Sequence, residues 1–158
     1  MITIYTDGAA KGNPGNGGYG TVLMAEVNDK HHRKELSEGY RMTTNNRMEL
    51  LAVIRGLQML KKEGSKVTVY SDSKYVVEAV EKGWIWNWQK KGFKGKKNVD
   101  LWQAFIPLFR KHEVKFVWVK GHAGIPENER CDQLAVAAAE SGDLKVDEGY
   151  EKSSQSLF

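Results

Sequence analysis

The sequence predicts a mixed α/β fold around one five-stranded sheet, on three observations. Three segments of alternating apolar and polar residues precede the first helical pattern. Later segments alternate between strand and helix. A chain of 158 residues suits a single domain that can bury a core without disulfides. Consecutive strands give antiparallel neighbours, whereas strand-helix-strand crossovers give parallel ones, so the sheet should be mixed.

Each element carries its own signal. Ile2, Ile4 and Thr6 alternate with Thr3, Tyr5 and Asp7, the period of a strand. Gly8 to Gly18 contains Gly12-Asn13-Pro14-Gly15 and reads as a turn-rich loop. Tyr19 to Val27 and Arg33 to Arg41 read as two further strands around a polar hairpin at Asn28 to His32. Thr43-Thr44-Asn45-Asn46 is a helix-start signal, and Leu50, Val53, Ile54, Leu57 and Leu60 follow at helical spacing until Gly64. Val67, Val69 and Ser71 share one face of a short strand ending at Asp72, and Ser73 to Lys82 continue as a helix stopped by Gly83. Asp72 therefore stands at the carboxyl end of a strand, where open α/β sheets collect ligands.

Asn98-Val99-Asp100 is expected to cap a helix bearing Leu101, Trp102, Phe105 and Leu108, and Val114 to Val119 to form the last strand. Lys120 to Pro126 is a glycine-containing loop, after which Asn128 opens a helix carrying Asp132. Trp102 and Trp118, among apolar neighbours, are expected in the core. Residues 1–142 are expected to form the folded domain, and residues 143–158, polar and weakly periodic, a mobile tail.

The lone Cys131 cannot form an internal disulfide and reads as a small buried residue. No segment at the start resembles a secretion signal, and no apolar run approaches the roughly 20 residues that a membrane helix needs. A cytoplasmic protein acting as a monomer is the expectation. The net charge of +4 hints at a polyanionic partner, and its distribution says more. Between Lys82 and Lys97 stand six lysines, four aromatic residues and no acid. Cations interleaved with flat rings can meet phosphates and stack on sugars or bases.

Asp7, Glu49, Asp72 and Asp132 lie far apart in the chain, each in a polar or glycine-containing setting. Folding is expected to gather them. Clustered carboxylates repel unless a cation holds them, and hard oxygen donors without a thiolate or histidine set favour magnesium or manganese over zinc.

Thr6-Asp7-Gly8 with Gly12-Asn13-Pro14-Gly15, Thr43 to Leu50 (Thr-Thr-Asn-Asn-Arg-Met-Glu-Leu), Ser71-Asp72-Ser73, Trp118 to His122 (Trp-Val-Lys-Gly-His) and Asn128 to Asp132 (Asn-Glu-Arg-Cys-Asp) together resemble the bacterial type 1 ribonuclease H family, in its free-standing form. The resemblance runs in order to about Glu140. It implies a ribonuclease H-like fold with helices on both faces of the sheet, and endonucleolytic cleavage of the RNA strand of RNA–DNA hybrids. Two Mg²⁺ ions, or Mn²⁺ in their place, would leave 5′-phosphate and 3′-hydroxyl ends. By resemblance Asp7 bridges both metals, Glu49 and Asp72 hold one, Asp132 holds the other, and His122 assists proton transfer or product departure.

The same resemblance assigns Asn13, Asn45 and Asn46 to the 2′-hydroxyl groups of the RNA strand. It places Trp84, Trp88 and their neighbours along the DNA strand, with Thr44 and Asn98 near a phosphate pocket. Lys90, Lys91, Lys94, Lys96 and Lys97 resemble the basic protrusion of bacterial members, although the link from Phe93 to Asn98 is shorter than usual and Phe93 replaces a common tryptophan. Lys74 departs from the pattern, standing where many relatives carry a neutral residue such as glutamine, and could bind an RNA phosphate or perturb the site. The end of the chain, Gln155 to Phe158, faintly resembles peptides that dock on replication clamps.

Weaker readings compete residue by residue. Asp72 could be only an N-cap, Asn46 and Glu49 only a capping box, and the lysines only a solvated face. As functions, a DNA nuclease of the same fold and a noncatalytic hybrid-binding module are the alternatives. The first would share the acids without the Asn-Asn-Arg-Met-Glu and Lys-Gly-His segments, and the second should lack an acid.

Overall fold

The opening meander forms, and it runs further than its apolar alternation. In this computed structural model, which describes residues 1–155, β1 spans Ile2–Lys11, β2 Gly15–Val27 and β3 Lys30–Thr43. The segment expected as a loop from Gly8 to Gly18 is thus mostly strand, closed by a turn at Gly12–Pro14. Glycines in that stretch break an alternation that backbone pairing with β2 maintains without side-chain help. The β2–β3 hairpin turns on Asn28 and Asp29, with φ of 52° and 62°, the left-handed pair that a two-residue hairpin turn demands and that Asn and Asp tolerate.

Helix α1 (Asn45–Gln58) then leads to β4 (Lys66–Ser71), and α2 (Lys74–Glu81), α3 (Trp84–Lys90) and α4 (Val99–Lys111) precede β5 (Glu113–Trp118). Helix α5 (Pro126–Glu140), β6 (Leu144–Val146) and α6 (Glu148–Gln155) follow. The sheet order is β5-β4-β1-β2-β3-β6. Pairs β1–β2 and β2–β3 are antiparallel, and β1–β4, β4–β5 and β3–β6 are parallel, the mixed sheet expected of a meander followed by crossovers.

Strand alternation decides which helix covers which face. Thr21 and Ile4 approach Gly56 of α1 so closely that a Cβ there would lie 3.1 Å and 3.0 Å from their methyl groups. Gly20, one residue from Thr21, faces the other way. A Cβ on it would stand 2.2 Å from the Cys131 carbonyl of α5, so glycine lets α5 lie against the strand. The main core gathers on the α1 side, with Ile4, Leu50, Ile54, Val69, Trp102, Phe105 and Phe116 all buried. Phe105 packs edge-on against Trp102 with centroids 5.6 Å apart, a favoured aromatic geometry.

Two expectations are corrected here. The sheet has six strands, not five, and within the segment expected as a mobile tail, residues 144–146 form β6 and residues 148–155 form α6. β6 pairs with β3 from Gly39 to Arg41, and Asp147 beyond it is buried. Its Oδ2 accepts hydrogen bonds from Thr43 Oγ1 (2.7 Å) and Arg47 Nε (2.8 Å), and its Oδ1 caps α6 by accepting from Tyr150 N–H. A three-residue strand is too short to show a period, and its partners lie about a hundred residues earlier. Of the replication-clamp segment, residues 156–158 lie outside the described residues. No helix among the described residues is long and apolar enough to cross a membrane.

Candidate metal centre and nucleic-acid interface

Asp7 projects from the middle of β1, not from its end, and Glu49 from the second turn of α1. They meet because Gly8 lets the helix press onto the strand. A Cβ at Gly8 would fall 2.4 Å from Glu49 N, a clash no small adjustment relieves. The Gly8 N–H donates to both carboxylates, at 2.9 Å to Asp7 Oδ1 and 2.9 Å to Glu49 Oε1. Thr44 caps α1 by accepting from Arg47 N–H at 3.3 Å, so Glu49 is not needed for a capping box and is left to the site.

Asp72 enters from the neighbouring strand, immediately past β4. Its backbone carbonyl accepts from the Trp118 indole N–H at 3.1 Å, and a Cβ at Gly121 would stand 2.9 Å from its Oδ2. Asp7, Glu49 and Asp72 each present an oxygen within 4.8 Å of the others. Asp132 stands apart from that triplet but lines the same cleft of about 530 Å³, as does His122 on the loop between β5 and α5. His122 is exposed, with φ of 56°.

Electrostatics argue that this arrangement is incomplete without a cation. Burial pushes the Asp7 carboxyl up, opposed by its hydrogen bonds to Glu49 and Gly8 and reinforced by the charges of Asp72 and Asp132. Burial and then the Asp7 charge raise Glu49 well above the usual range, and burial raises Asp72 as well. Glu49 Oε2 is buried and has no hydrogen-bond partner among the described residues, a costly condition for a carboxylate oxygen. A hard divalent cation would satisfy that oxygen and remove the repulsion together, so the donor set fits the expected metal.

A second cleft of about 690 Å³ holds Asn13, Thr44, Lys96, Lys97 and Asn98, and Asn46 lines both clefts. The two therefore adjoin at that residue. Asn13 Oδ1 accepts from Asn45 N–H (3.2 Å) and Asn45 Oδ1 from Ala10 N–H (2.8 Å). Their carbonyl sides are committed to the fold, which leaves the NH₂ groups to donate.

The chain matches the ribonuclease H family model over residues 1–140. The chain belongs to the ribonuclease H family. A ribonuclease H of Desulforamulus reducens is 58% identical over 151 residues, covering 92% of each chain, and a ribonuclease HI of Synechocystis is 49% identical over 156 residues, covering 96% of this chain and 95% of that one. Among solved structures, LC9-RNase H1, a type 1 RNase H with the type 2 active-site motif, superposes with a TM-score of 0.79 at 30% identity, covering 99% of this chain and 81% of that one. This ribonuclease H is thus an enzyme of the type 1 branch, as the ordered motifs suggested.

Not every residue marked in the sequence lies where expected in this ribonuclease H. Trp84 is 42% exposed, with Lys82 Nζ 5.4 Å from its ring centroid. Trp88 is only partly available, because it packs edge-on against Trp102 at 5.9 Å and Lys96 covers its ring at 5.0 Å. Trp86 packs against Phe109, with ring centroids 5.6 Å apart. Lys96 and Lys97 reach the second cleft, whereas Lys90, Lys91 and Lys94 are exposed outside it. Asn98 precedes α4 but makes no side-chain cap. It sits at φ of 61° and donates to Tyr75 Oη at 3.0 Å. Helix α5 opens at Pro126, not Asn128, whose side chain is buried. Trp118 is 43% exposed and not core.

Sequence reasoning missed Arg47. Its buried guanidinium forks between Asp100 of α4, at 2.8 Å and 2.7 Å, and Asp147 before α6, at 2.8 Å and 2.9 Å. The signal was an arginine inside the Asn-Asn-Arg-Met-Glu segment, on the face of α1 that the helical period assigns to the interior.

Proposed function

We propose that this ribonuclease H cleaves the RNA strand of RNA–DNA hybrids endonucleolytically. Asp7, Glu49, Asp72 and Asp132 would hold two divalent ions, magnesium in the first place and manganese as a substitute. The carrying observation is the convergence of Asp7, Glu49 and Asp72 oxygens within 4.8 Å in a cleft that shares Asn46 with a neighbouring lysine-lined pocket. When bound, the ions supply an activated water and positive charge at the leaving oxygen, giving 5′-phosphate and 3′-hydroxyl ends. LC11-RNase H1, 26% identical with a TM-score of 0.67 over 89% of this chain and 97% of that one, is known in complex with an RNA/DNA hybrid, which supports the substrate class.

The protein's own groups divide the remaining work. Asp7, shared at the centre, fixes the spacing of the set. The NH₂ groups of Asn13 and Asn45, with Asn46 lining both clefts, would read 2′-hydroxyls across a minor groove, the contact that tells RNA from DNA. Thr44, Asn98, Lys96 and Lys97 receive the other strand's phosphates, while Trp84 offers an exposed ring beside it. His122, at the cleft edge, moves a proton near the leaving group. The chain is proposed to act as a cytoplasmic monomer.

The deciding experiment offers labelled RNA–DNA hybrid, duplex DNA and duplex RNA to the protein with Mg²⁺ or with EDTA. Hybrid alone should be cut, in its RNA strand and only with the metal. Preference for duplex DNA, or binding without cutting, would overturn the proposal. His122→Ala should lower kcat about a hundredfold with little change in KM. A large rise in KM at unchanged kcat would instead make His122 a binding residue. Replacing Lys94, Lys96 and Lys97 together by alanine should raise KM and flatten the dependence of hybrid affinity on salt, with most of the effect from Lys96 and Lys97. An unaltered salt slope would assign those lysines to a merely solvated face.

A further inference from the structure

Lys74 occupies a position that local structure does not explain. It is the first residue of α2, directly after the N-cap Ser73. The helix dipole and the unpaired N–H groups make that end unfavourable for a cation, and no acid shares the first turn. Its side chain lines the cleft of Asp7, Glu49, Asp72 and Asp132. A lysine serving to neutralise those acids would pair with one of them. Among the described residues it does not: its ammonium lies 5.1 Å from the centroid of the Trp118 ring.

Trp118 makes this resting place specific. Its ring is 43% exposed and is fixed by the indole N–H bond to the Asp72 carbonyl at 3.1 Å. The ammonium is therefore held at the mouth of the metal centre on a platform anchored to one of its ligands. A cation–π contact at so exposed a site is weak, so an arriving anion can draw the lysine away at small cost.

We propose that Lys74, resting on Trp118, is a clamp for a phosphate of the RNA strand next to the one cleaved. Hybrid transfers the ammonium from the indole face to a phosphate oxygen, and Trp118 sets where that exchange happens. The inference rests on the proposed hybrid cleavage. It differs from the lysine-lined second cleft in acting on the RNA strand at the metal centre.

The test measures hybrid binding by fluorescence anisotropy in EDTA over a series of salt concentrations, together with kcat and KM in Mg²⁺. Lys74→Gln should weaken binding and raise KM about five- to tenfold, make the salt slope shallower by about one, and leave kcat at saturating hybrid within about twofold. Lys74→Arg should retain binding. Trp118→Phe, which keeps a ring, should retain more affinity than Trp118→Leu. Unchanged affinity and salt slope in Lys74→Gln would overturn the clamp, as would tighter Mg²⁺ binding by calorimetry with unchanged hybrid affinity, which would make Lys74 only a perturbation of the metal centre. If the unaltered protein fails to cut hybrid, the functional reading itself falls. If it cuts and Lys74→Gln binds normally, only the clamp does.

Discussion

Asp7→Asn should reduce hybrid cleavage on the order of a thousandfold or more and, in the same preparation freed of metal, raise the melting temperature. The two effects have one cause. Asp7 is 6% exposed, and burial with the neighbouring Asp72 and Asp132 charges raises its carboxyl from 3.8 to about 7. A carboxyl that holds its proton more tightly folded than unfolded stabilises the fold below its unfolded pKa, and that stability is lost as pH rises through the folded value. Metal-free protein should therefore lose stability relative to Asp7→Asn between about pH 4 and pH 7. At pH 8 the asparagine variant should be more stable by about 4 kcal/mol, roughly 8–16 °C. Asparagine keeps an oxygen for the Gly8 N–H while removing the charge. Saturating Mg²⁺ should shrink or reverse the difference, since the ion binds only the unaltered centre well. Paired thermal melts with EDTA and with Mg²⁺ across that pH range decide the matter. A less stable Asp7→Asn protein at pH 8 in EDTA would show that the acids are not mutually repelling in the fold.

Arg47→Ala should cost about 3–5 kcal/mol of stability, the usual consequence of removing one partner of a buried ion pair, or roughly 6–20 °C in melting temperature. The side chain of Arg47 is 4% exposed and that of Asp147 9%, so the loss leaves Asp147 buried with only Thr43 and its α6 contacts. Asp100 keeps half of its surface in water and suffers less. Arg47→Ala combined with Asp147→Ala should recover part of the loss, because no charge then remains stranded. Urea unfolding of the three variants measures this. A single-variant cost below about 1 kcal/mol would reduce the cluster to the weight of a surface pair. Because Arg47 sits between Asp100 of α4 and Asp147 of α6, the variant should also loosen the wall of the second cleft, where Asn98, Tyr150 and Ser153 line the same space as Thr44.

Much of the fold was legible from periodicity. The helical spacing of Leu50, Val53, Ile54 and Leu57 correctly marks the interior face of α1, and the Ser71-Asp72-Ser73 break correctly marks the end of β4 and the start of α2. Where the sequence was misread, the deciding contacts were remote. The long continuation of β1 past Gly8 depends on pairing with β2 across a glycine-rich stretch with no side-chain pattern of its own. β6 depends on β3, and Asp147 on Arg47 and Thr43. Trp118 looks like core by its neighbours, yet it belongs to the edge strand β5 and keeps nearly half its surface in water.

By itself the sequence determined the chemical inventory: which acids, amides, lysines and rings the chain carries, the order of helices and strands around them, and the ribonuclease H family. Only the tertiary structure decided that three acids share one narrow space while the fourth stands off, that Lys74 faces an indole and not a carboxylate, and that the last strand closes the sheet. The physical reason is reach. Backbone periodicity is set by neighbours a few residues away and is written locally, whereas burial, charge repulsion and ion pairing depend on distances between groups that only packing brings together.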